Sequence, residues 1–124
     1  MSEEIKKLVY VLHDGGEHAE KVLTAFTMAN IGVTMENDVT MMLFGEATRL
    51  AYKGYAETIQ APSRLPMDRL IRDFLDIGGK IYIGRPCLKA RNVDPATMLI
   101  EGVETPTGTE INDLFTNSDQ VIGW

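Results

Sequence analysis

Three stretches of the chain are apolar without alternation and end on turn-forming residues. Lys6 to Leu12 runs into His13-Asp14-Gly15-Gly16, Asp38 to Phe44 ends at Gly45, and Lys80 to Gly84 leads into Arg85 and Pro86. Short runs of this kind, bounded by Gly or Pro, read as buried strands. Between them the apolar positions recur at helical spacing. Ala19, Val22, Leu23, Phe26 and Ala29 form one stripe, which predicts an amphipathic helix stopped by Gly32. Met67, Leu70, Ile71, Phe74 and Leu75 form another, opened by Pro66 and closed by Gly78-Gly79. Glu46 to Lys53 reads as a short helix with Ala47, Leu50 and Ala51 on one face. Tyr55 to Leu65 has no clear period, so it is either a lid or an element the pattern does not reveal.

Past the third strand, Arg85 to Asn92 has Pro at a first helical position and Asn at a stop position, predicting one or two helical turns. Asp94-Pro95 opens another short turn or helix, and Ile100 to Glu104 reads as a fourth strand. Thr107-Gly108-Thr109-Glu110 has the form of a capping box ahead of Ile111, Leu114 and Phe115. Asp119 to Trp124 reads as a closing strand. Strands alternating with helices predict one α/β domain over residues 1–124, a three-layer α/β/α sandwich with a mainly parallel sheet of about five strands. In such sheets ligands sit at the carboxyl ends of the strands. His13, Gly45 with Glu46, and Arg85 to Cys87 all fall at that edge.

The composition narrows the function. The 124 residues are 44% hydrophobic and 24% charged, a globular balance. Twelve Lys plus Arg against eighteen Asp plus Glu give a net charge of −6, which argues against a nucleic-acid or anionic-membrane binder. No apolar run approaches the roughly 18 residues of a membrane span. The acidic start, Met1 to Lys7, is unlike a secretory leader, so the expected location is the cytoplasm. The single cysteine, Cys87, excludes a disulfide framework and a two-cysteine redox mechanism.

The strongest chemical signal is the window Arg85 to Arg91, where Arg85, Lys89 and Arg91 surround Cys87 without an acid. The thiolate is the reactive form of cysteine, and both a helix start and nearby cations favour it. The bland alternative is a small buried hydrophobe, the usual state of a lone cysteine. His13 could activate Cys87 if the two strands are neighbours, although a turn histidine with no special role is the simpler reading. His18 falls on the polar face of the first helix. Two histidines and one cysteine without ligand spacing predict no metal. Neither G-x-G-x-x-G nor a P-loop pattern is present, and Asp14 and Glu17 would oppose a phosphate, so no nucleotide or other cofactor is expected. The Met residues at 28, 35, 41, 42, 67 and 98 read as core or subunit contacts.

In these residues the chain resembles the DsrE/DsrF-like family of small cytoplasmic sulfur-relay proteins, which includes the TusD-type subunits. The resemblance follows the element order along nearly the whole chain. It is sharpest in Lys80 to Gly84 followed by Pro86-Cys87-Leu88-Lys89-Ala90-Arg91-Asn92-Val93, and continues in Ile100 to Glu104 and Asp119 to Ile122. Asn92 stands where many relatives have glycine, and either residue takes the left-handed conformation. The resemblance implies a sulfurtransferase in which Cys87 carries sulfur as a persulfide. It would take sulfur from a donor protein or low-molecular sulfane and pass it to an acceptor thiol. Arg91 foremost, with Lys89 and Arg85, would stabilise the anionic sulfur. It also implies a homo-oligomer, a trimer or hexamer.

Two other readings compete. One is a non-catalytic, oligomeric binding subunit in which Cys87 is structural. The other, ranked last, is a one-cysteine peroxide reductase, for which the Pro-x-x-x-Thr-x-x-Cys context is missing.

Overall fold

A computed structural model describes residues 5–124; Met1 to Glu4, on which the reading of the leader partly rests, lie outside the described residues. Five parallel strands, β1 (Lys7–Leu12), β2 (Asp38–Leu43), β3 (Lys80–Ile83), β4 (Val103–Glu104) and β5 (Gln120–Gly123), form one sheet in the order β4-β3-β2-β1-β5. The helices are α1 (Ala19–Thr34), α2 (Met67–Asp76), α3 (Arg85–Ala90), α4 (Pro95–Met98) and α5 (Gly108–Thr116). None is long and apolar enough to cross a membrane.

The unbroken apolar runs are explained by cover on both faces of the sheet. Successive side chains of a strand point to opposite faces, so each run feeds two cores. Tyr10, Leu12, Val39, Met41, Leu43, Ile81 and Ile83 join Val22, Leu23 and Phe26 of α1 and Leu70, Ile71 and Phe74 of α2 in the larger core. Phe26 and Phe74 meet edge to face, with ring centroids 5.7 Å apart. Val9, Val11 and Met42 point the other way, onto Ile111 of α5, with Leu114 and Phe115 packed against them. The result is the three-layer α/β/α sandwich expected from the pattern.

Local differences have local causes. Gly32 does not stop α1; it lies inside the helix, where a Cβ would come within 3.0 Å of Val39 Cγ2. The glycine lets the helix approach β2, and the left-handed residue past the helix end is Glu36, with φ 68°. The fourth strand begins later than expected, at Val103, because Gly102 turns the chain at φ 96°. The helix predicted over Glu46 to Lys53 is a 3-10 segment, Gly45–Ala51, with Ala47, Leu50 and Ala51 buried. Within 55–65, Ala56–Thr58 make a 3-10 turn and Ile59 is buried in the larger core. That segment is therefore packed, anchored by its own apolar residues. Asn92 closes α3 at φ 54°, and Thr107 with Glu110 forms the capping box of α5.

Candidate functional site

At the carboxyl edge of the sheet three loops meet, those after β1, β2 and β3. Gly45 turns the chain sharply after β2 at φ 53°, a left-handed conformation that glycine adopts without a Cβ penalty. The Ala47 N–H then donates to the His13 carbonyl at 3.1 Å, binding the second loop to the first. After β3, Gly84 caps α3, Pro86 stands in its first turn, and Cys87 follows on the same turn. The Cys87 N–H donates to the Gly84 carbonyl at 3.0 Å. Cys87 is half-buried, its inner side packed against the larger core. Leu88, beside it, is buried and fixes the helix to that core.

A chain of alternating charges ties these loops together. Glu17, after β1, accepts the Gly15 N–H at 2.8 Å on one carboxylate oxygen and the Arg49 guanidinium at 2.7 Å on the other. Arg49 Nε lies 2.9 Å from Glu46 Oε2, and Glu46 Oε1 accepts from Arg91 Nη2 at 3.2 Å. The Arg49 guanidinium also lies over the Tyr55 ring, 4.9 Å from its centroid, and the Tyr55 hydroxyl accepts the Gly16 N–H at 2.8 Å. The order Glu17, Arg49, Glu46, Arg91 thus runs from the first loop through the second to α3. Gly15 leaves room for it: a Cβ there would fall 2.8 Å from Arg49 Nη2 and 3.0 Å from the Glu46 carbonyl oxygen. The Gly15 N–H, and behind it the Arg49 charge, hold the Glu17 carboxyl below its ordinary range. The Glu46 carboxylate raises Arg91 from its ordinary value and keeps it charged.

The cations expected around Cys87 take three different directions. Arg91 is the C-cap residue just past α3, and its guanidinium is taken by Glu46. Arg85 turns away; its Nε donates to the Thr105 carbonyl at 2.8 Å. Lys89 is exposed and enters no ion pair among the described residues. His13 leaves β1, and β2 stands between β1 and β3, so His13 and Cys87 start about two strand spacings, roughly 10 Å, apart. His13 stacks on Phe44 at 5.6 Å, and Phe44 packs on the α5 side of the sheet, whereas Cys87 packs on the α1 and α2 side. Strand order and sheet face thus keep His13 apart from Cys87.

Glu17, Glu46, Arg49 and Tyr55 were not singled out as site residues by the sequence. Glu46 and Arg49 are three positions apart, but the links that join the loops span 32, 39 and 45 positions, and no local spacing reveals those. Glu46 alone carried a signal, its place directly after the second strand.

Two other features bear on ligands. Asp14, Glu17 and His18 bring their ligand atoms within 4.8 Å of one another. Asp14 is already paired with Lys21 at 2.7 Å, and that bond lowers its pKa, while Glu17 is taken by Arg49. The second feature is a groove of about 590 Å³ beside α5, floored by Thr40 and Tyr82 and rimmed by Lys7, Lys80, Arg85, Glu104 and Glu110. It lies on the sheet face that α5 leaves partly open, away from the α1 and α2 side on which Cys87 packs.

Comparison with known proteins adds family and fold. Residues 6–124 match the DsrE/DsrF-like family. The uncharacterized protein MJ0760 of Methanocaldococcus jannaschii is 30% identical over 101 residues, which cover 82% of this chain and 36% of that protein. The chain thus spans little more than a third of the length of this curated relative. Among solved structures, the ychN protein from E. coli superposes with a TM-score of 0.76 at 15% identity, covering 98% of this chain and all of that one. A protein of unknown function, MTH1491 from Methanobacterium thermoautotrophicum, gives 0.71 at 12% identity, covering 98% of this chain and 100% of that one. These structural likenesses are likenesses of fold.

Proposed function

Because the chain belongs to the DsrE/DsrF-like family, which suggests a sulfur-relay role in general, we propose that it is a persulfide carrier acting through Cys87. The observation that carries the reading is the half-buried cysteine on the first turn of α3, at the carboxyl edge of the sheet.

The chemistry needs one cysteine and no outside oxidant. The Cys87 thiolate attacks the terminal sulfur of a donor persulfide; a new S–S bond forms at Sγ, the donor's S–S bond breaks, and the donor leaves as a thiolate. An acceptor thiolate then attacks the terminal sulfur of the Cys87 persulfide, takes that sulfur, and Cys87 leaves as the thiolate it began as. Sulfur moves and no net oxidation occurs. The donor in this reading is a partner protein's persulfide or a low-molecular sulfane, and the carrier works in the cytoplasm as a trimer or hexamer of the TusD-type kind. Arg91 stabilises the charge, Lys89 and Arg85 contribute at longer range, and His13 has no direct part.

Intact-protein mass spectrometry after incubation with polysulfide tests the loading step. Wild type gains one or more sulfur masses and Cys87→Ser gains none. Equal loading of both, or none on either, contradicts the proposal. Failure to load, together with a Cys87 that resists alkylation until the protein unfolds, would favour the binding-subunit reading.

A further inference from the structure

We propose that the groove beside α5 binds a peptide-sized zwitterion, a ligand about three residues long with a free ammonium at one end and a free carboxylate at the other. Topology accounts for the void itself. α1 and α2 cover one face of the five strands and leave the other to α5, which packs on Val9, Val11 and Met42 of β1 and β2. Five strands span about 19 Å and a helix only about 10 Å, so the strip over β3 and β4 stays open.

Topology does not account for the lining. Thr40 lies two residues before Met42 on β2, so it faces the same way, and it is only 4% exposed. Thr48, also buried and polar, donates its hydroxyl to the Gly45 carbonyl at 2.9 Å, whereas the Thr40 hydroxyl has no hydrogen-bond partner among the described residues. It is not sealed in the protein either: among the described residues Trp124 Nε1 is the one enclosed side-chain polar atom without a partner. The Thr40 hydroxyl therefore opens into the groove that it lines. The Tyr82 hydroxyl, farther along the floor, has no partner among the described residues. Burial, and after it the Glu104 carboxylate, raise its pKa, so it stays protonated and able to donate. Buried hydroxyls left without partners cost stability, and a ligand that bonds them recovers it.

The rim sets the charge of the ligand. Lys80 lies 3.7 Å from Asp38, Arg85 Nε is given to the Thr105 carbonyl, and Glu110 is held in the cap of α5. Lys7 of β1, Glu104 of β4 and Asp113 of α5 enter no ion pair among the described residues. A bare anion would meet Glu104 and Asp113, and a bare cation would meet Lys7; a ligand of both signs satisfies all three. β1 and β4 are three strand spacings apart, about 14 Å, which side chains at each end shorten to the roughly 10 Å of an extended tripeptide. The volume, about 590 Å³, admits a molecule of that size.

The test follows backbone amide shifts of the isotope-labelled full chain during titration with triglycine and with two capped forms, N-acetyltriglycine and triglycine amide. Triglycine should give saturable shifts centred on Thr40 and Tyr82, with an affinity about tenfold above that of either capped form. Lys7→Gln should erase the preference for the free carboxylate, and Glu104→Gln combined with Asp113→Asn the preference for the free ammonium. Thr40→Val should weaken binding about fivefold without lowering the midpoint of urea denaturation, because no bond within the protein is lost. Should that variant fail to fold, Tyr82→Phe must weaken binding in its place. No saturable shift, equal binding of the capped forms, or wild-type affinity in Thr40→Val overturns the proposal. Groove resonances that ignore the peptide but move on dilution of the protein would show a second copy on this face, and overturn it as well.

Discussion

The carboxyl edge of the sheet and the groove beside α5 are both polar, both partly open and differently built. The groove is a sizeable concavity, about 590 Å³, with acids and bases mixed along its rim and Thr40 and Tyr82 on its floor. The edge holds the only cysteine, and three loops from three adjacent strands are joined there by Glu17, Arg49, Glu46 and Arg91. A void is what remains when α5 covers only part of a sheet face; it requires no residue to be placed with care. Three loops tied by four alternating charges require several. The proposed chemistry is placed at the edge on that contrast.

Substitutions can break that comparison, beginning with the largest expected effect. Cys87→Ser should abolish sulfur loading altogether in the intact-mass measurement, while Tyr82→Phe in the groove leaves it intact. Arg91→Ala should slow sulfur loading of Cys87 about fivefold, and Lys89→Ala by no more than about twofold, measured by intact mass against time. Gly15→Ala puts a methyl group against Arg49 and the Glu46 carbonyl and should slow the same reaction about threefold while destabilising the fold by about 1 to 2 kcal/mol in urea denaturation. Thr107→Ala removes the cap of α5 beside the groove, and should cost about 1 kcal/mol with no change in Cys87 reactivity.

The smallest effect is that of acid. The Glu17 carboxyl is held below its ordinary range chiefly by the Gly15 N–H, so its contribution is present above the unfolded value of about 4.3 and is lost as pH falls through the lower folded value. Hydrogen exchange at Gly15 should therefore lose protection only below about pH 4, whereas the capped start of α5 responds through its own carboxylate, Glu110.

Much of this was legible from the order of residues. Unbroken apolar runs in 6–12, 38–44 and 80–84 identify covered parallel strands because burial on both faces removes alternation. The capping box at Thr107 and the left-handed stop at Asn92 are local chemistry and are read directly. Gly32 misleads because helix stop and close helix-strand contact call for the same residue, and only the neighbour, Val39, distinguishes them. Cys87 and the cations Arg85, Lys89 and Arg91 fall within seven positions and are read directly as a cluster. Cys87 with His13 is a question of which strands are neighbours and which face each residue takes, and neither is local. The charge chain is hidden for the same reason: each of its long links closes a loop of tens of residues.

The central claim is that Cys87 both accepts and releases sulfur in the folded protein, and the release step tests it most directly. Native protein loaded with polysulfide, freed of excess reagent and then mixed with a dithiol acceptor, should lose its added sulfur mass while the acceptor yields an equal amount of sulfide and Cys87 returns to an alkylatable thiol. An adduct that persists until the protein is unfolded, or that is released equally from Cys87→Ser, would contradict the account.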